Sequence, residues 1–95
     1  MQPKRRVPSH PGLILLQEFL SPLDVTQVDF AAHIGVSTQR VNEIVRGKRG
    51  VSPESAWLLS QALGTTPHFW INLQNQYAHA RTNQVRKIRR LRRSA

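Results

Sequence analysis

The chain has 95 residues, 39% hydrophobic and 20% charged, which suits one small folded domain and is too apolar for a disordered segment. It contains no cysteine, which excludes disulfide frameworks, thiolate metal sites and cysteine nucleophiles and points to the cytoplasm. Its formal net charge of +9 points to a polyanionic partner.

The first nine residues read as a basic N-terminal arm carrying Lys4, Arg5 and Arg6, closed off by Pro8, Pro11 and Gly12. From Leu13 the apolar residues Ile14, Leu16, Phe19, Leu20 and Leu23 recur at helical steps, with Pro11 in a first turn and Pro22 and Asp24 marking the end. The longest apolar run, Leu13 to Leu16, is too short to span a bilayer. Glu18 interrupts the stretch and no small-x-small cleavage site follows, so neither a membrane anchor nor a signal peptide is expected. Thr26 is the expected N-cap of a second helix, Gln27 to Ile34, which Gly35 stops. Ser37 caps a third helix reaching about Arg46, with Val41 and Ile44 turned inward and Gly47 at its end. A basic, glycine-bounded loop of residues 47–52 leads to Ser52-Pro53-Glu54-Ser55, a strong helix start. The fourth helix runs through Ala56, Leu58, Leu59, Ala62 and Leu63 to Gly64, and Thr66-Pro67 opens a fifth with Phe69, Trp70, Leu73 and Tyr77. No repeat and no alternating strand pattern occurs, so the expected fold is all-α. Residues 10–80 form the expected domain. Residues 81–95 form a basic tail, either a helical extension with Val85, Ile88 and Leu91 as an apolar stripe or disordered.

The charge is unevenly placed. Three cations lie in residues 1–6 and seven in residues 81–95. Residues 7–80 hold all five acids against Arg40, Arg46, Lys48 and Arg49, which fall in one ten-residue window. The body is therefore near neutral, with a local basic patch at the end of the third helix.

Helices two and three, residues 26–46, have the spacing of a helix-turn-helix, whose second helix enters a DNA major groove. Ala31 is small enough for a close helix crossing, Gly35 permits the sharp turn, and Val36 can plug the angle. Thr38, Gln39, Asn42 and Glu43 should then face outward. Thr26-Gln27, Ala31, Gly35-Val36-Ser37, Val41, Ile44 and Gly47 resemble the xenobiotic-response-element (Cro/CI type) helix-turn-helix family. The segments His10 to Leu16, Arg40 to Gly47 and Gly64 to Gln74 extend the resemblance to the HigA (VapI-like) antitoxins over roughly residues 10–78. Leu13 stands where that family often carries glutamate, Phe30 where it often carries leucine, and the basic C-terminal tail is less typical of it.

The resemblance implies a five-helix, lambda-repressor-like DNA-binding domain. It further implies a homodimer that binds a palindromic operator in its own promoter, represses its operon, and neutralises a small ribonuclease toxin of RelE-like fold. Carried over position by position, it gives Gln27 and Ser37 phosphate contacts and Thr38, Gln39 and Glu43 base contacts, with Arg40 and Asn42 serving bases or backbone. Arg46, Lys48 and Arg49 suit flanking phosphates. Contact with about six phosphates per dimer would cost on the order of a thousandfold in affinity between roughly 50 and 200 mM salt.

Blander readings remain beside these. Glu43 stands three residues from both Arg40 and Arg46 and could simply bridge them on a solvated face. Trp57, Phe69, Trp70 and Tyr77 recur among leucines as core or dimer-seam residues rather than as a stacking platform for bases. Phe69, Trp70, Leu73 and Tyr77 on helix five are the expected self-association surface. His10, His33, His68 and His79 lack metal-ligand spacing, five scattered carboxylates give no acid–base pair, and no phosphate-binding glycine loop is present. No enzyme activity, metal or cofactor is expected. Two other functions stay open: a stand-alone repressor without a toxin, and an RNA- or protein-interaction module acting through the basic tail.

Overall fold

Each helix begins where a side chain can take up an otherwise unsatisfied backbone N–H. In the computed structural model, the structure describes residues 8–82 and 88–91. Lys4, Arg5, Arg6 and Val85 lie outside the described residues; Ile88 and Leu91 are exposed and without regular secondary structure.

The first helix, α1, is built of three abutting segments, Pro11–Ile14, Leu15–Leu20 and Ser21–Leu23. It starts two residues before the apolar pattern does, because His10 caps it: the Gly12 N–H donates to His10 Nδ1 at 2.9 Å. The middle segment is wound as a π-helix, with the Ser21 N–H reaching the Leu16 carbonyl. In a regular α-helix the Pro22 ring would collide with the Glu18 carbonyl, and the wider winding makes room for it. Pro22 therefore lies inside the last turn, and Asp24, at φ 57°, ends the helix.

The remaining helices are α2 (Gln27–Ile34), α3 (Thr38–Val45), α4 (Pro53–Leu63) and α5 (Pro67–Thr82). Their N-caps are the residues the sequence pointed to. Thr26 Oγ1 accepts from Asp29 N (3.0 Å), Ser37 Oγ from Arg40 N (3.1 Å), Ser52 Oγ from Ser55 N (3.1 Å) and Thr66 Oγ1 from Phe69 N (3.2 Å). Gly35 ends α2 at φ 78°, a left-handed conformation that lets the chain turn straight into the Ser37 cap.

One core joins the five helices. Leu15 and Leu20 from α1, Phe30 and Ala31 from α2, Val41 and Ile44 from α3, Ala56 and Leu59 from α4, Trp70 from α5 and the loop residue Val51 are all buried. Val36 packs at the edge of this cluster. Trp70 is fully enclosed, and its Nε1–H donates to Thr65 Oγ1 at 2.7 Å. Phe19 and Phe69 flank its ring at centroid distances of 5.5 and 5.0 Å. Its own protomer thus encloses Trp70 completely, which corrects its assignment to a dimer seam: the largest side chain of α5 fills the space between α1 and α4. Leu73 and Tyr77 are partly buried in the same protomer and Phe69 is more open. Trp57, by contrast, is 57% exposed on α4.

Candidate DNA interface

Helices α2 and α3 cross as the small Ala31, 1% exposed, allows, and Val41 and Ile44 anchor α3 from beneath. This leaves Thr38 and Gln39 exposed at the start of α3, one turn from the Ser37 cap. Asn42 and Gln27 meet across the two helices, the Asn42 Nδ2–H donating to Gln27 Oε1 at 3.1 Å. That bond takes the acceptor end of the Gln27 amide and leaves its Nε2 hydrogens to donate outward. Ser37 spends its oxygen lone pair on the cap, but its O–H remains a donor.

Glu43 occupies the middle of the same face. Its Oε1 accepts from Arg49 Nε at 2.9 Å and pairs with Arg49 Nη2 at 2.8 Å, while Oε2 accepts from Gln39 Nε2 at 3.2 Å. The backbone N–H groups of Lys48 and Arg49 also donate to the Glu43 carbonyl, folding the loop over the end of α3. The Arg49 hydrogen bond, helped by that from Gln39, holds the Glu43 carboxyl below its ordinary range. The partners read from helical spacing, Arg40 and Arg46, are therefore replaced by Arg49, which the loop brings back.

Arg40 turns away from this face. Its Nη2 donates to Glu54 Oε1 at 3.1 Å and to the buried Ser55 Oγ at 2.9 Å, tying α3 to the first turn of α4. Arg40 thus stands apart from the other expected contact residues and acts as a strut. Arg46 and Lys48 are exposed, and among the described residues no side-chain hydrogen bond or ion pair engages them.

The loop after α3 is fixed from behind by a residue to which the sequence gave no role. Gln74 on α5 accepts from the Val51 N–H at 2.8 Å. Its only sequence signal is a polar side chain among the inward positions of α5. His10 and Tyr77 close the same corner with ring centroids 4.8 Å apart.

The resulting surface offers amide groups, a hydroxyl and free cations along one helix and its following loop. Such groups hydrogen-bond base edges and phosphates of duplex DNA. Among the described residues there is no group of side chains fit to hold a metal ion, and no helix is long and apolar enough to cross a membrane.

Comparison with known proteins agrees with this geometry. The Helix-turn-helix family model matches residues 16–70. Antitoxin HigA-1 of Vibrio cholerae is 36% identical over 75 residues, covering 79% of this chain and 70% of that protein. The solved structure of Pseudomonas aeruginosa antitoxin HigA with the higBA promoter is 41% identical, covers 79% of this chain and 82% of that one, and has a TM-score of 0.77. That of antitoxin GraA in complex with its operator is 35% identical, covers 98% and 99%, and has a TM-score of 0.81.

Proposed function

The chain belongs to the helix-turn-helix family, whose members are non-enzymatic regulators, and from that premise we propose that it is a HigA-like antitoxin of a type II toxin–antitoxin pair. It acts in the cytoplasm as a homodimer on a palindromic operator in its own promoter, represses that operon, and neutralises a small ribonuclease toxin of RelE-like fold. The observation that carries the DNA-binding part is the exposed Thr38–Gln39 edge of a capped and braced α3, with Arg46 and Lys48 free at its far end. Relatives solved with promoter and operator DNA support the same part, and likeness to antitoxins supports the toxin partner.

Thr38 and Gln39 read base edges, Gln27 and Ser37 donate to phosphates at the two helix starts, and Arg46 and Lys48 hold the flanking backbone. In a two-fold dimer the two α3 helices stand about 34 Å apart, one turn of DNA. Fluorescence anisotropy with the chain's own promoter and a scrambled duplex, across a salt series, tests the reading. A preference for the promoter that survives moderate salt is expected; equal binding that collapses with salt would overturn it. Co-expression with a neighbouring reading frame of RelE-like pattern tests the toxin partner. A repressor that works with no such neighbour would be the stand-alone regulator instead.

A further inference from the structure

We propose that both basic ends of the chain leave the fold beside the basic loop after α3, so that arm, loop and tail form one continuous surface for the DNA phosphate backbone beyond the bases read by α3. The inference rests on the DNA-binding reading above and concerns where the rest of the charge goes.

Three contacts place the ends. His10, where the described chain enters α1, packs edge-on against Tyr77 of α5 at 4.8 Å. The His10 ring also borders the loop, since a Cβ on Gly47 would stand 3.7 Å from it. Four residues beyond Tyr77, Arg81 lies over the tyrosine ring at 5.4 Å and donates to its hydroxyl at 3.0 Å. Gln74, one turn earlier on α5, holds the other end of the loop through Val51. Entry at His10, exit at Thr82 and the loop with Arg46, Lys48 and Arg49 therefore share one corner of the molecule.

The acids are arranged the other way. Glu18, Asp24 and Asp29 lie in the later turns of α1, at its end and in the first turn of α2, all exposed. They are separated from His10 by much of α1, which at 1.5 Å per residue spans about 20 Å. Glu43 and Glu54 are engaged by Arg49 and Arg40. Charge added only for solubility has no reason to gather at one pole, whereas a polyanion with one charge per about 1.7 Å rewards such gathering.

Reach is sufficient. Lys4 is six residues before His10 and Arg89 seven after Thr82, so chain length alone allows about 20–25 Å from the corner at about 3.3–3.6 Å per residue. The ends can then contact phosphates several base pairs outside the operator core.

The test uses the full chain and three variants: K4A/R5A/R6A, R89A/R90A/R92A/R93A, and both sets combined. Each is titrated with the promoter core alone, the core lengthened by about one helical turn on each side, and scrambled duplexes of both lengths. The wild type should gain affinity from the added flanks. The combined variant should lose that gain, and its slope of log K against log salt should fall by at least about 2, each lost phosphate contact being worth about 0.9. The loss should fall on promoter and scrambled duplexes alike, with helical circular dichroism unchanged. An unchanged slope and an undiminished gain from the flanks would overturn the proposal and assign the ends to an acidic protein surface. Absence of promoter preference in the wild type would instead sink the operator reading, and the slope comparison would still decide this one.

Discussion

Gly12 of α1 lies directly on the carbonyl of Ile44 in α3. A Cβ at Gly12 would collide with that oxygen and stand 2.9 Å from Val45 Cα. The last turn of the proposed recognition helix thus rests on bare backbone, and its tilt is set by how closely α1 can approach. Gly12→Ala should cost about 1–3 kcal/mol, the scale of overpacking a tight contact, and lower the thermal midpoint by roughly 4–8 °C per kcal/mol in a domain of this size. Promoter affinity should fall more than affinity for scrambled DNA, because the end of α3 is displaced. A melting curve like that of the wild type would show that the contact gives way freely.

Arg40 gives a sharper test of what faces DNA. Its guanidinium bridges Glu54 and Ser55, and its side chain is only 25% exposed. Arg40→Ala should destabilise the fold by about 1 kcal/mol, as an exposed ion pair with a charged hydrogen bond added does. Promoter affinity, measured well below the melting transition, should change less than about threefold, under 0.7 kcal/mol. A loss of tenfold or more would return Arg40 to the DNA contacts.

Gln39 and Lys48 should fail in different ways. Gln39→Ala removes an amide that can pair bidentately with adenine, so promoter discrimination should drop by about 1–3 kcal/mol while binding to scrambled DNA is retained. Lys48→Ala should weaken all duplexes alike and reduce the salt slope by about 0.9 per lost phosphate contact. Anisotropy on the two duplexes separates the cases; interchanged phenotypes would reverse the assignment of the two ends of α3.

Glu43 puts a carboxylate in the middle of a surface proposed to meet phosphates, and holds Arg49 and Gln39 to itself. Glu43→Gln frees Arg49 and removes one negative charge. Affinity for scrambled DNA should rise severalfold and promoter preference should narrow, which makes Glu43 a residue that restrains indiscriminate binding. Unchanged or weaker binding to scrambled DNA would refute that role.

The legible part of this molecule is local. Thr26, Ser37 and Ser52 could be read as caps because a cap needs only the next three residues, and Gly35 as a turn because glycine tolerates positive φ. Val41 and Ile44 follow from helical spacing in the same way. Non-local partners were not legible. Arg40 finds Glu54 fourteen residues on, Glu43 takes Arg49 only because the loop folds back, and Gln74 reaches Val51 across twenty-three residues. Trp57 and Trp70 both stand at helical spacing among leucines, yet one is exposed and the other enclosed. Which side of a short amphipathic helix meets the core is decided by the neighbouring helices. The start of α1 escaped for a different reason, since histidine is an uncommon N-cap.

That cap makes the fold sensitive to pH. His10 Nδ1 can accept the Gly12 N–H only while it carries no proton, and burial lowers the His10 pKa from its ordinary 6.5. The folded state therefore binds this proton less readily than the unfolded chain. Its contribution to stability is complete above about pH 6.5 and is lost as pH falls through the lowered folded value. Tyr77 is neutral in this range, while Arg81 above it and Arg46 and Lys48 beside Gly47 add positive charge that further opposes protonation. His33, His68 and His79 are exposed. Melting temperatures should thus fall from pH 7.5 to 5.5, and promoter affinity with them, since α1 begins against the end of α3. His10→Asn keeps an oxygen for the Gly12 N–H and removes the titrating group. It should melt nearly independently of pH in that window; a variant that lost stability as steeply as the wild type would place the sensitivity elsewhere.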